Sequence, residues 1–311
     1  MALINILKIS TVYSRVSLTF RFNVYIPKDL NDALRALKVE GEGLLPIAGG
    51  TDLLVLYRQG LVKFNKLLDL WPLRNSLSYV RFEGGYVKIG ALTTVSELLD
   101  SRIYMDKRFL GFKDACSGFA SPFIRSIATV GGNVGAAHPL SDIAILLLAY
   151  DANVKLASLD GERLVPLREF FIDKRKTLRK PDELIVELSF KEPPTNSSTS
   201  LIKLDRRVGH SMGYVIVSTY LELIDDIVKD VRIVFDSMGK PYPERAYKTE
   251  EYLRGKTLSE DVVKEASESI LPNEMRRITD YRSSAEYRVE LSKVLLKRAL
   301  FKTKERILGG A

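Results

Sequence analysis

The period at which apolar residues recur changes along the chain, and the changes mark its elements. Residues 20–27, FRFNVYIP, read as a strand; in DLNDALRALK, which follows, Leu30, Ala33, Leu34 and Leu37 recur at helical spacing behind Asp29, a residue suited to cap a helix. LLPIAGGTD is then a strand running into paired glycines, and LLVLYRQG a short helix. From Lys66 the texture changes to short strands (KLLDL, SYVRF, GYVKIG), and Thr94 with Glu97 forms a capping box for another helix. FASPFIRSIATVGGN leads into a second glycine pair, Gly131 and Gly132, and DANVKLAS with ERLVPL reads as a hairpin around Asp160 and Gly161.

KEPPTNSSTS, residues 191–200, lacks apolar periodicity and is expected to be a linker. Beyond it LIKLDRR, MGYVIVSTYLEL and IVKDVRIVFDS have the pattern of an antiparallel sheet, and helical stretches near 244–254, 259–270 and 283–306 complete the chain. The expected organisation is an extension over 1–19, one domain over 20–192 in two parts (20–75 and 76–192), and an α+β domain over 193–311.

Composition narrows the chemistry. With 311 residues, 46% of them hydrophobic, the chain has material for two or three packed units. IAILLLAY, residues 143–150, falls short of the roughly 20 residues a membrane span requires. In the first nineteen residues Lys8 interrupts the apolar run, and neither a basic region nor a small-residue cleavage site is present, so a cytoplasmic location is expected. Cys116 is the sole cysteine, which excludes a disulfide framework and an iron–sulfur cluster ligated by this chain alone. His138 and His210 are too few for a histidine-rich metal site, so no metal ligands are assigned.

The net charge of +8 invites a nucleic-acid reading, but its distribution argues otherwise. From Met275 onward there are ten Lys or Arg against four Asp or Glu, so the tail holds +6 of the +8. Leu291, Val294, Leu295 and Ala299 have the spacing of an amphipathic helix, and a docked helix with a solvated basic face is expected in preference to an anion-binding or partner surface. No basic and aromatic interleave supports nucleic-acid binding.

A single Gly-Gly pair is accounted for by turn geometry. Here there are two, each after a run of strand character and each closely followed by a polar residue, Thr51 and Asp52 in one and Asn133 in the other. Without Cβ atoms, main-chain N–H groups approach an anion closely, and two such loops would grip one pyrophosphate from both sides. The spacing of a nucleoside triphosphatase loop is absent. GEGLLP, residues 41–46, begins like a dinucleotide fingerprint, but Pro46 takes the third glycine position and the stretch precedes a strand.

LPIAGGTDLLV, DLWPL, VKIGALTT, IRSIATVGGNVGAAHPLSD, EFFIDKRKTLRKPDELI, LIKLDRR and YRVELSKVLLKRAL together resemble the flavin-binding medium subunit of molybdenum hydroxylases, the carbon monoxide, xanthine and aldehyde dehydrogenases. The resemblance runs from about residue 20 to the end. It implies an α+β protein: a two-part FAD-binding domain of the vanillyl-alcohol-oxidase type, then a C-terminal α+β domain with an antiparallel sheet and terminal helices. It further implies that Ile47, Ala48, Gly49, Gly50, Thr51, Asp52 and Leu53, with Thr129, Val130, Gly131, Gly132 and Asn133, wrap the FAD pyrophosphate and its neighbouring groups. Asp142 falls where the family accepts hydrogen bonds from flavin-chain hydroxyls, although its spacing equally suits a helix cap. Ile185 and Lys203 match positions that approach the flavin ring; unaided, Lys203 reads as an ordinary strand lysine. Phe119 matches an aromatic in contact with the cofactor in some members, and otherwise reads as core. Relatives often carry Gly at Ala128, an aromatic at Leu201 and a smaller residue at His138, so a ring-stacking role near Leu201 is in doubt.

The implied function is electron transfer through FAD, with no catalytic side chain in this polypeptide. The implied partners are a molybdopterin-bearing large subunit and a small iron–sulfur subunit, as a dimer of heterotrimers, with NAD, oxygen or a quinone as acceptor. The alternative is a stand-alone FAD-dependent oxidase or reductase, which would need substrate-facing acids or bases near the ring; none is identified.

Overall fold

Helix α1 (Leu30–Glu40) buries Ala33, Leu34 and Leu37 along one face, and the Asp29 carboxylate caps it by accepting the Asp32 N–H at 2.7 Å. That face packs on Leu44, Leu68 and Leu70. In the computed structural model, which describes residues 22–207, 212–236, 240–275 and 279–309, β1 (Asn23–Tyr25) and β2 (Leu45–Ile47) flank β3 (Lys66–Asp69) as a parallel three-stranded sheet. The extension 1–19 and His210 lie outside the described residues. The carboxyl end of β2 runs directly into the first glycine pair, the end of a parallel strand at which open sheets of this kind place ligands.

A second sheet has the order β4 (Val80–Glu83), β5 (Tyr86–Gly90), β10 (Leu184–Lys191), β6 (Asn153–Ser158), β7 (Gly161–Pro166), antiparallel throughout. Helix α2 (Leu53–Arg58) precedes β3, and between β5 and β6 run α3 (Val95–Leu99), α4 (Leu110–Ser117) and α5 (Val130–Gly135). The capping box of Thr94 and Glu97 is present at the start of α3. Helix α6 (Asp142–Ala149) is buried at all eight positions and lies at the centre of the largest apolar cluster, which explains why its sequence is apolar all round. Cys116 is buried in that cluster, and burial pushes its thiol up to about 12, so it stays protonated.

The antiparallel sheet of the C-terminal part has the order β11 (Ser197–Asp205), β12 (Gly213–Ile224), β13 (Ile227–Phe235), β14 (Glu244–Arg245). Here the linker reading needs correction. Ser197, Ser198, Thr199 and Ser200 open β11 and are fully buried. Their hydroxyls are satisfied: Ser198 Oγ donates to the Lys107 carbonyl at 2.6 Å, Thr199 Oγ1 accepts the Gly111 N–H at 3.0 Å, and Ser200 Oγ meets Thr219 Oγ1 at 3.0 Å. A strand so rich in hydroxyls buries without penalty because each hydroxyl has a partner, and hydropathy does not reveal it.

Helices α7 (Tyr247–Leu253), α8 (Glu260–Glu265) and α9 (Ala285–Leu308) cover that sheet. Helix α9 docks through Leu295, Leu296, Ala299, Leu300 and Thr303, whereas Val294 faces solvent. Its basic residues are largely neutralised in place. Lys302 and Arg306 both meet Asp114, at 2.9 and 2.7 Å; Arg288 pairs with Asp280, Lys304 with Asp226 and Lys297 with Glu268. This is a docked helix, as the apolar spacing predicts. Among the described residues, no helix is long and apolar enough to cross a membrane.

Candidate functional site

The first glycine pair has two separate requirements. Gly50 has φ +67°, a left-handed conformation that side chains rarely adopt. Gly49 faces chain rather than open space: a Cβ there would stand 1.9 Å from the Ile127 carbonyl oxygen, so its absence lets the first loop lie against the segment leading into the second. The N–H groups of Gly49, Gly50, Thr51 and Asp52 donate to no acceptor among the described residues. They precede helix α2, where unpaired amides and the helix dipole favour an anion.

The second pair departs from the expected loop. Thr129 is the N-cap of α5, so Val130, Gly131 and Gly132 form its first turn. Their amides are already used: Val130 N–H donates to the Thr93 carbonyl at 2.9 Å, Gly131 N–H to the Ala91 carbonyl at 2.8 Å, Gly132 N–H to Thr129 Oγ1 at 3.0 Å and Asn133 N–H to the Thr129 carbonyl at 2.9 Å. The expectation that both loops offer open main-chain donors therefore holds for the first alone. Gly131 is glycine because a Cβ would stand 2.6 Å from Ala91 Cβ. Asn133 supplies the second loop's free donor. Its Oδ1 accepts from Ser141 Oγ and the Ala144 N–H, which leaves Nδ2 with no acceptor among the described residues.

The loops do converge. A Cβ on Gly132 would lie 3.9 Å from Ala48 Cβ, and both loops line one cavity of about 1120 Å³. Of the residues singled out in the sequence, Ile47, Ala48, Gly49, Gly50, Thr51, Asp52, Leu53, Phe119, Thr129, Gly131, Gly132, Asn133, Asp142, Ile185 and Lys203 all line it. Val130 does not: it is fully buried in the core beneath the second loop. Leu201 is likewise core, away from the lining. A register shift in β10 at Ile185 accompanies that residue's placement in the lining, and the missing Cβ of Gly135 leaves room for Ile185 Cδ1, 3.3 Å away.

At one wall Lys203 Nζ lies 3.2 Å from Asp142 Oδ2 and 3.8 Å from Asp205. Ser141, not Asp142, holds the N-cap position of α6, and the Asp142 carboxylate makes no capping bond, so the helix-cap reading does not hold; its Oδ1 is buried with no hydrogen-bond partner. Burial pushes this carboxyl up to about 6, against the opposing pull of Lys203. A buried, unpartnered acceptor on one lining residue and a row of open amides elsewhere in the same lining are the acceptor and donor types that a flavin nucleotide's hydroxyls and diphosphate require.

Three lining residues had no assigned role in the sequence. His138 Nδ1 accepts the Leu140 N–H at 3.1 Å, which leaves the ring proton on Nε2; burial and the nearby Arg175 hold its basicity down. Arg179 is anchored by donating to the carbonyls of Lys180 and Glu183, at 2.9 and 2.8 Å. Arg175 grips Asp52 with both arms, at 2.5 and 3.2 Å.

Comparison with known proteins agrees with this geometry. Residues 20–191 match the family described as the FAD binding domain in molybdopterin dehydrogenase, and residues 200–303 the CO dehydrogenase flavoprotein C-terminal domain. The chain is 28% identical over 281 residues to the glyceraldehyde dehydrogenase medium chain of Sulfolobus acidocaldarius, spanning 89% of this chain and 96% of that one. It is 28% identical to the carbon monoxide dehydrogenase medium chain of Afipia carboxidovorans over 292 residues, 92% and 97% of the two chains. A solved carbon monoxide dehydrogenase from Hydrogenophaga pseudoflava superposes with a TM-score of 0.86 at 26% identity, covering 92% of this chain and 98% of that chain.

Proposed function

This chain belongs to the FAD-binding medium subunits of the molybdenum hydroxylases, and from that premise we propose how its residues serve that role. It is an oxidoreductase subunit whose cofactor is FAD. Bound FAD supplies the capacity to take up electrons singly and pass them on. In this reading the open amides of Gly49 to Asp52 hold the diphosphate, Asn133 Nδ2 adds a donor from the second loop, and Asp142 Oδ1 accepts from flavin-chain hydroxyls. Phe119 and Ile185 give the ring apolar walls that exclude water. Lys203 keeps a positive charge where the reduced ring carries negative charge.

The observation that carries this assignment is the pairing of four open amides with one buried, unpartnered carboxylate oxygen around a single cavity. We divide the chain at residue 193, with the flavin-binding part before it. Medium chains of this family work in multi-subunit complexes, so a large and a small subunit stand beside this one. We assign molybdopterin to the large partner and iron–sulfur clusters to the small one, in a cytoplasmic dimer of heterotrimers that delivers electrons to NAD, oxygen or a quinone. Hydroxylation chemistry then belongs to the large partner.

Purification of the full chain tests the assignment. The expected product is a yellow protein that releases FAD, about one per chain, on denaturation. Protein that stays colourless after incubation with FAD contradicts it. Mild lysis with the chain as bait is expected to retain a cluster-bearing partner, and purification without one contradicts the assembly.

A further inference from the structure

Asp52 stands at the N-cap position of α2 yet makes no capping hydrogen bond. An acid there ordinarily turns onto the amides of the first helical turn, here Leu54 and Val55, which would leave its negative charge beside the open amides of Gly49 to Asp52. Its carboxylate instead points to Arg175, in the turn between β8 (Phe171–Asp173) and β9 (Lys176–Thr177), and is held by both arms of the guanidinium, at 2.5 and 3.2 Å.

The main chain of Arg175 reaches the far end of the helix that the second glycine pair opens. Arg175 N–H donates to the Ala137 carbonyl at 3.0 Å, just beyond α5. Both residues are left-handed without being glycine, Ala137 with φ +43° and Arg175 with φ +59°. Two strained positions joined by one hydrogen bond beside a ligand cavity persist only where the surroundings over-determine them.

We infer that Arg175 is a positioning residue for the cofactor: it holds the Asp52 carboxylate away from the start of α2 and neutralises its charge beside the open amides, while its main chain ties the hairpin to the far end of α5. The inference rests on FAD as the ligand of this cavity. Released from Arg175, the Asp52 carboxylate is an unneutralised charge beside the open amides and repels the diphosphate. The defect should therefore disappear when Asp52 is also removed, which a general disturbance of the hairpin would not do.

The test is a two-by-two comparison of FAD affinity and release rate in the full chain, followed by flavin fluorescence. Arg175→Gly suits the left-handed backbone and keeps the N–H to Ala137, so it isolates the side chain. It is expected to weaken FAD binding about 10-fold. Asp52→Asn alone is expected to change affinity less than about 3-fold, and the double variant to return within about 3-fold of the unmodified chain. Arg175→Lys, with the charge but one arm, is expected to fall between. If Arg175→Gly binds FAD normally, or if the double variant stays as weak as Arg175→Gly, the inference is overturned while FAD binding stands. Failure of the unmodified chain to take up FAD overturns both.

Discussion

Gly49–Gly50 and Gly131–Gly132 both follow apolar runs and both precede polar residues, yet the backbone uses them differently. The first pair ends a parallel strand, holds one left-handed residue and leaves its amides open. The second is wound into the first turn of α5, with every amide from Val130 to Asn133 bonded within the protein. Each pair has one member, Gly49 or Gly131, whose missing Cβ admits another stretch of chain rather than a ligand. Glycine pairs thus mark two kinds of close approach, and only accounting for each N–H separates them.

Substitutions sharpen the contrast. Gly49→Ala drives a Cβ into the Ile127 carbonyl at 1.9 Å, against backbone with little room to yield, and is expected to destabilise the chain by about 3 kcal/mol or more in urea unfolding. Gly131→Ala meets Ala91 Cβ at 2.6 Å and its carbonyl oxygen at 2.7 Å; a loss of about 2–3 kcal/mol is expected by the same measurement. Gly50→Ala meets only the flexible tips of Ile47 and Leu54 at 3.1 Å, and its penalty comes from φ +67°, about 1 kcal/mol. Equal effects at Gly49 and Gly50 would erase the distinction between packing and conformation.

A pH titration examines the Asp142 and Lys203 wall of the cavity. Burial raises the Asp142 carboxyl to about 6 in the folded chain, so its contribution to the stability of the flavin-free protein is complete below about pH 4 and is lost as pH rises through 6. A flavin hydroxyl donating to Oδ1 favours the carboxylate and lowers that value. FAD affinity is then expected to rise severalfold between about pH 5 and 7, and Asp142→Asn to flatten the rise. A parallel rise in the Asn variant would move the effect elsewhere.

Much of this arrangement is legible in the sequence where the determining interaction is local. Asp29 and the Thr94 and Glu97 box announce their helices within four residues, and the apolar spacing of α1 states which face is buried. The convergence of the glycine loops is suggested by the repeated pair itself and given a cofactor by the resemblance, not by periodicity. What escaped reading depends on partners far away. The hydroxyls of Ser197 to Ser200 read as linker because Lys107, Gly111 and Thr219, which satisfy them, are 19 to 91 residues distant. Arg175 receives no role in the sequence because its partner Asp52 lies 123 residues earlier. Two of the bonded amides of the second loop, those of Val130 and Gly131, depend on Thr93 and Ala91, which no local pattern points to.

The central claim, that the first glycine loop presents open amides to the cofactor while the second contributes packing and side chains, is tested most directly by amide hydrogen exchange of the full chain with and without FAD. The account predicts that FAD slows exchange sharply in peptides covering Gly49 to Asp52 and leaves Gly131 to Asn133 little changed, because those amides are already bonded. New protection at Gly131 to Asn133 with none at Gly49 to Asp52 would contradict it.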